Sequence, residues 1–198
     1  MIDDALDYVS RGWHIFPVRP RGKEPITSHG FKDATTDPAS IRGWWCKWPH
    51  ANIGLACGAS GLTVIDLDPR NGEPNLNLMP TLTSKTGGGG WHYFYSGVVR
   101  SCKPLPGVDI KSDGGYVILP PSIHPSGRRY EWVNDFQVAL LPDNIRALTV
   151  RGPVEHQAGP VIPPTSRYLA AAIRGEQDAV EHATDGNRNT TLYNARLS

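Results

Sequence analysis

The spacing of apolar residues predicts two short helices in the first fifty residues. Apolar positions recur at helical spacing over residues 3–11, and Gly12 follows as a stop signal. A second helix is predicted from Pro38 through Trp48, because proline suits the first helical position and the tryptophans of this segment fall at helical spacing. We expect those tryptophans in the core; the alternative is that one of them stacks on a nucleic-acid base.

From residue 52 onward the pattern changes to short apolar runs separated by glycine-rich connections, which is typical of strands. After a first strand within 13–18, the predicted strands are 53–57, 62–67, 91–95, 108–111 and 116–119. Residues 112–115 (Ser-Asp-Gly-Gly) predict a tight hairpin between the last two strands, because glycine supplies the positive φ of such a turn. With 18 prolines and 21 glycines in 198 residues, we expect a loop-rich α+β protein rather than a helix bundle.

The chain is predicted to consist of three parts. Residues 1–150 carry all the strand candidates and form the expected catalytic domain, which is an ordinary domain size. Residues 151–165 are rich in proline and glycine and have no apolar periodicity, so they are predicted to form a linker. Residues 166–198 show a helical apolar stripe and predict the start of a small helical C-terminal segment.

Charge and cysteine content narrow the classes of function. The formal net charge is only +1, which excludes a protein that coats nucleic acid through its overall charge. A local basic stripe of Arg19, Arg21 and Lys23 is still expected to contact DNA phosphates; the alternative is a solvated loop. No run of ~18 apolar residues is present, so we expect a soluble protein with no membrane partner.

The three cysteines give no sign of a disulfide framework or a zinc site. Cys46, Cys57 and Cys102 form no Cys-x-x-Cys pair, and an odd number of cysteines at irregular spacing favours a reducing cytoplasm. We do not expect structural zinc, because Cys46, His50 and Cys57 lie at spacings that zinc modules do not use.

The first candidate for chemistry is a pair of carboxylates at the end of the 62–67 strand. Side chains alternate along a strand, so Asp66 and Asp68 are expected to project from one face while Leu67 projects from the other. Two neighbouring carboxylates repel each other unless a cation lies between them, and oxygen ligands suit Mg²⁺ or Mn²⁺. An EF-hand is excluded, because its sixth and twelfth positions would be asparagine instead of glycine and glutamate. The remaining alternative is a pair of aspartates that caps a turn.

The second candidate is a run of four glycines followed by a histidine on a strand. The run ends in Gly89 and Gly90, and its backbone can approach a triphosphate closely. His92 follows and can donate to a phosphate oxygen, although a structural histidine is the alternative. The run is neither a P-loop nor a dinucleotide fingerprint, because it lacks the Lys of the former and the third Gly of the latter.

The third candidate begins at Asp109 and continues past the predicted hairpin. Asp109 and Lys111 share a strand face, and a third carboxylate beside the first two would complete a two-metal site. Lys111, Ser122 and His124 are expected to reach phosphate or sugar. Taken alone, Asp109 is equally well explained as a surface residue that stabilises the hairpin.

In their order, these three segments resemble the bifunctional primase/polymerase N-terminal domain of the archaeo-eukaryotic primase superfamily. The resemblance covers about residues 1–150 and is carried by an Asp-x-Asp pair, a Gly-Gly-x-His before a strand, and a lone Asp in a segment that ends in Pro-Pro-Ser-x-His. It implies an RRM-like antiparallel-sheet core with flanking helices. Many relatives have Ser where this chain has Gly90, so we expect backbone amides to replace that hydroxyl.

The resemblance also implies a function and its partners. The implied activity is template-dependent DNA priming and polymerisation, with nucleotidyl transfer from dNTPs or NTPs on single-stranded DNA. The three aspartates would bind two Mg²⁺ or Mn²⁺ ions, and His92 would hold the phosphates of the incoming nucleotide. A helicase domain in the same full-length chain or replicon is expected, in the cytoplasm of a bacterial, archaeal, plasmid or phage replication system. Two alternatives stay open, namely a metal-dependent nuclease or other phosphoesterase, and a non-catalytic module that binds nucleotides or single-stranded DNA.

Overall fold

A computed structural model of the chain describes residues 1–72 and 75–150. These residues have an α+β fold and belong to one compact unit. The helices are α1 (Ile2–Ser10), α2 (Pro38–Lys47) and α3 (Asp143–Thr149). The predicted linker and the predicted C-terminal helical segment lie outside the described residues. No helix in the described part of the chain has the length and apolar character needed to cross a membrane.

The strands form two sheets. The strands are β1 (Ile15–Val18), β2 (Asn52–Ala56), β3 (Leu62–Leu67), β4 (Thr83–Lys85), β5 (Trp91–Ser96), β6 (Cys102–Leu105), β7 (Val108–Lys111), β8 (Tyr116–Leu119), β9 (Glu131–Trp132) and β10 (Ala139–Leu140). The small sheet has the order β1-β2-β8 and the large sheet has the order β6-β7-β3-β5-β4-β9, both antiparallel. The short strand β10 joins β5 in parallel.

The predicted hairpin over residues 112–115 is wrong. The strands on either side of it, β7 and β8, do not pair with each other: β7 pairs with β3 and β6, whereas β8 pairs with β2. The turn is used to pass the chain from the large sheet to the small one. Ser112 anchors this crossing, because its buried hydroxyl accepts a hydrogen bond from Val99 N at 3.1 Å and donates one to Leu62 O at 3.1 Å.

The local signals at the start of α2 act as the sequence predicts. Asp37 caps the helix by accepting hydrogen bonds from Ala39 N and Ser40 N, and Pro38 occupies the first turn. Of the three tryptophans, Trp45 is buried, while Trp44 and Trp48 are only partly buried. They nevertheless pack against the main core, as expected.

The large sheet is covered on both faces, and this decides where polar residues can reach solvent. One face, represented by Val64 and Phe94, belongs to the main core together with α1, α2 and the small sheet. The opposite face, represented by Ile65 and Tyr95, packs with Ile145 of α3. Side chains alternate along a strand, so Asp66, two positions after Val64, and His92, two positions before Phe94, lie on the main-core face. Both lie at the point where that core ends.

Candidate functional site

Three side chains, two acidic and one imidazole, lie side by side across the middle of the large sheet. Asp66 on β3 is in register with His92 on β5 and with Asp109 on β7. In-register residues on antiparallel strands project from the same face, so the three side chains form one row. The Nε2 atom of His92 lies 3.6 Å from Oδ1 of Asp66. Three segments that are far apart in the sequence are thus brought together by strand pairing.

Asp68 is not a strand residue, contrary to the prediction that it follows Asp66 on the same strand. The strand ends at Leu67, because Pro69 has no amide hydrogen and cannot continue the ladder. Asp68 instead caps the short 3-10 helix Pro69–Asn71. Its carboxylate accepts hydrogen bonds from Arg70 Nε at 2.9 Å and Nη2 at 2.7 Å, and these hold the pKa of Asp68 below its usual range. Asp68 still faces the same cavity as Asp66.

Asp109 is held between two lysines. Its Oδ2 atom lies 2.9 Å from Lys111 Nζ and 3.2 Å from Lys103 Nζ. Partial burial by itself raises the pKa of Asp109, but the hydrogen bonds and charges of Lys111 and Lys103 outweigh it and leave the pKa lowered. The carboxylate therefore stays ionised at neutral pH although it is partly buried.

A cavity of about 540 Å³ opens in front of this row of side chains. All three aspartates and His92 line it. Its other walls come from the 3-10 helix, the glycine run, the β6–β7 turn and Tyr130. A second cavity of about 350 Å³ adjoins it, shares Asp66, His92 and Asp109, and extends to Lys111 and Tyr116. The combined space has the size of ordinary small-molecule sites.

His92 is the most deeply buried member of the row. Its side chain is only 4% exposed, and burial lowers its pKa even though the nearby charge of Asp66 acts in the opposite direction. The imidazole is therefore neutral at neutral pH, with one nitrogen that donates and one that accepts. Its ring is packed against Phe94 and Tyr130, with ring centroids 6.2 and 6.1 Å away.

The glycine run forms the turn between β4 and β5. Thr86 closes this turn: its amide donates to Gly90 O at 2.8 Å and its hydroxyl accepts from Gly90 N at 2.9 Å. A Cβ atom added to Gly90 would lie 2.5 Å from Leu67 O, so only glycine allows the turn to approach the end of β3 this closely. Gly88 and Gly90 line the main cavity.

Basic residues line the main cavity together with the glycine run. They are Lys23, Arg70 and His124. Burial lowers the pKa of His124, and the charges of Lys23, Arg128 and Arg70 lower it further. Lysine and arginine side chains thus line the same cavity as the three carboxylates, and this combination suits a polyanion that binds beside an acidic reaction centre.

Several predicted binding residues do not reach the main cavity. Ser122 is fully buried, and its hydroxyl accepts a hydrogen bond from Ile53 N at 2.9 Å, so the structure gives it a structural task instead of a nucleotide contact. Gly89 is absent from the residues that line the main cavity, and Arg19 lines neither it nor the adjoining one. Arg21 lines a separate cavity with Arg129.

Five polar residues that line the main cavity were not predicted from the sequence, namely Arg70, Asn71, Thr86, Lys103 and Tyr130. Arg70 and Asn71 follow Asp68 directly, and that proximity was the available signal. Lys103 and Tyr130 carry no local signal, because only strand pairing and the fold of the 120–130 segment bring them to the site. Burial raises the pKa of the Tyr130 hydroxyl, and the charge of Asp66 raises it further, so this phenol stays protonated.

The donor set fits a hard divalent cation by its chemistry. Carboxylates of Asp66, Asp68 and Asp109 supply the oxygen ligands that Mg²⁺ and Mn²⁺ prefer. In residues 1–72 and 75–150, however, no three His, Cys, Asp or Glu side chains are close enough together to hold a metal ion. Asp68 and Asp109 are turned toward Arg70 and the two lysines, and these partners have to be exchanged before the carboxylates converge on an ion.

Comparison with known proteins assigns the chain to a family. A search among curated proteins finds no match. A family model described as "Bifunctional DNA primase/polymerase, N-terminal" matches residues 5–144, which span every strand described above, the whole of α2, most of α1 and the first two residues of α3. The chain therefore belongs to the Prim-Pol family of DNA primase/polymerase N-terminal domains, as its three ordered motifs predicted.

Proposed function

We propose that this domain is a template-dependent DNA primase/polymerase that transfers nucleotides from dNTPs or NTPs on single-stranded DNA. The observation that carries the proposal is the in-register row of Asp109, Asp66 and His92, facing a cavity that Lys23, Arg70 and Lys103 also line. Family membership supports a nucleotidyl-transfer role of this class. We further infer that the large sheet is the RRM-like core of the family.

In this proposal the carboxylates of Asp66, Asp68 and Asp109 hold two Mg²⁺ or Mn²⁺ ions. Bound there, the ions would activate the attacking 3′-hydroxyl and stabilise the leaving pyrophosphate. Two of these carboxylates, Asp68 and Asp109, are kept ionised for this task, because Arg70 and the lysines lower their pKa values.

The remaining cavity residues bind the nucleotide. His92 is neutral, so it donates one hydrogen bond to a phosphate oxygen without adding a full charge at the reaction centre. Lys23 and Arg70 line the cavity together with the glycine run and counter the negative charge of the triphosphate, while His124 offers a hydrogen bond. Lys111 lies in the adjoining cavity, where it would reach the sugar or a DNA phosphate.

The partners follow from this activity and from the family. Single-stranded DNA would approach along the basic segment of Arg19, Arg21 and Lys23, of which Lys23 already lines the cavity. A helicase domain in the same chain or replicon, and a setting in the cytoplasm of a cell or in plasmid or phage replication, are proposals that rest on the family alone.

The test measures incorporation of labelled dNTPs on single-stranded DNA, with and without an annealed primer, in Mg²⁺ and in Mn²⁺. Asp66→Asn removes one charge without changing the side-chain volume, and Asp135→Asn, on an exposed residue outside both cavities, is the matched control. We expect template-directed products that Asp66→Asn abolishes and Asp135→Asn leaves unchanged. Cleavage of DNA without dNTP consumption would instead identify a nuclease, and dNTP binding without products would identify a binding module.

A further inference from the structure

Two polar atoms close to the row are buried without a hydrogen-bond partner among the described residues. They are Oγ of Ser84 on β4 and Nδ1 of His92 on β5. Ser84 is fully buried and His92 is 4% exposed, so water does not readily serve either atom. An unsatisfied buried polar group costs free energy, and each of these two atoms therefore calls for a partner.

The two atoms belong to cross-strand neighbours. Ser84 is in register with His92, so their side chains project from the same face. On either side of this pair, Thr86 N donates to Gly90 O and Phe94 N donates to Leu82 O. Backbone hydrogen-bonded pairs recur at every second position of an antiparallel ladder, so Ser84 and His92 are also paired through their backbones. Their Cα atoms are therefore about 5.5 Å apart. A serine side chain has three staggered χ1 rotamers, and the hydrogen bond inferred below requires the one that turns the hydroxyl toward the imidazole.

The surroundings of the ring decide the direction of the hydrogen bond. Nε2 of His92 faces the Asp66 carboxylate at 3.6 Å, and an ionised carboxylate can only accept. An N–H on Nε2 is attracted to this carboxylate, whereas a lone pair there is repelled by it. A ring with a single proton therefore carries that proton on Nε2, which leaves Nδ1 as an acceptor. Ser84 carries the buried hydroxyl that can donate to it.

We propose that Ser84 is a positioning residue, whose hydroxyl donates to Nδ1 of His92 and keeps the ring proton on Nε2, facing the cavity. The hydrogen bond itself follows from burial and strand register. Its purpose, presentation of an N–H to a nucleotide phosphate, rests on the function proposed above.

The contribution of Ser84 becomes decisive when Asp66 binds a cation. The charge of the Asp66 carboxylate is then offset by the cation and attracts the ring proton less, so that Ser84 selects the tautomer. With the proton on Nδ1, the ring would present a lone pair to a phosphate oxygen, and the two would repel each other. With the proton on Nε2, the ring donates to that oxygen.

The first measurement is ¹⁵N NMR of histidine-labelled protein. The chain has seven histidines, and the His92 signals are assigned by their loss in His92→Gln. We expect the wild type to carry its proton on Nε2 and to show an Nδ1 shift typical of a hydrogen-bonded acceptor. Ser84→Ala should move that shift to the value of a free nitrogen, and Ser84→Thr, which keeps the hydroxyl, should restore it. Ser96→Ala removes a hydroxyl from β5 outside both cavities and should leave the His92 signals unchanged.

The second measurement is dATP binding in Mg²⁺ without DNA. Because only protein with the competent tautomer binds well, Ser84→Ala should raise the apparent Kd about two- to fivefold, whereas Ser84→Thr stays near the wild type. Circular dichroism of each variant verifies that the fold is kept.

The results separate the hydrogen bond from the proposed function. A wild-type proton on Nδ1, or an Nδ1 shift that Ser84→Ala leaves unchanged, overturns the hydrogen bond. A shifted Nδ1 together with unchanged dATP affinity overturns the role in phosphate binding. If the domain makes no polymer at all, the NMR result still decides the first half of the proposal.

Discussion

Replacement of Ser122 by alanine separates a structural role from a nucleotide-binding role most clearly. The Ser122 hydroxyl accepts the backbone N–H of Ile53 at 2.9 Å, and both residues are 0% exposed. Ser122→Ala removes the acceptor and leaves a buried donor without a partner. Such a group costs about 1–3 kcal/mol, so we expect the free energy of unfolding to fall by about 2 kcal/mol. For a domain of this size the thermal midpoint should then fall by about 4 to 8 °C.

The assay is thermal and urea denaturation, together with steady-state kinetics below the new midpoint. Ser10→Ala, at an exposed position at the end of α1, is the matched control and should change stability by less than about 0.5 kcal/mol. We expect KM for dNTP and kcat of Ser122→Ala to stay near the wild type. An unchanged midpoint combined with a raised KM would refute the reasoning and would show that Ser122 contacts the nucleotide.

Three further predictions follow from other contacts. Arg70→Ala should tighten Mn²⁺ binding, because it removes the guanidinium group that is ion-paired with Asp68. Binding is measured by electron paramagnetic resonance of the free ion. Unchanged affinity would mean that the Arg70–Asp68 pair does not compete with the metal. Asp37→Ala should lower the thermal midpoint at neutral pH, since the hydrogen bond from Ser40 lowers the pKa of this helix cap. A carboxylate whose pKa is lowered by folding stabilises the folded state at pH values above its unfolded pKa, and this stabilisation is lost as the pH falls through its folded pKa. The difference in thermal midpoint between Asp37→Ala and the wild type should therefore shrink in acid. A difference that stays constant with pH would contradict the capping role. Gly54→Ala should destabilise the small sheet, because the added Cβ would lie 2.7 Å from Cε2 of Phe16, and a midpoint equal to the wild type would show that the ring can move aside.

Much of the secondary structure follows from local sequence. The predicted helix over residues 3–11 corresponds to α1, and the helix from Pro38 corresponds to α2, because amphipathic spacing and capping residues act within a few positions. The five apolar runs predicted after residue 52 correspond to β2, β3, β5, β7 and β8. The elements that were not predicted, β4, β6, β9, β10 and α3, are short. They carry little apolar periodicity and depend on neighbouring elements for their pairing or burial.

The sequence by itself determined the residue types of the candidate site and their order, and Asp66, His92 and Asp109 all fall within the residues that the family model matches. It also determined which residues of one strand share a face, because alternation along a strand is a local property. Only the tertiary structure decided that the three are direct cross-strand neighbours, since register between distant segments is set by the packing of the whole sheet. The same pairing placed β7 and β8 in different sheets, buried Ser122 away from the cavity and brought Ser84 beside the imidazole. These outcomes depend on contacts between residues far apart in the chain, and no local pattern encodes such contacts.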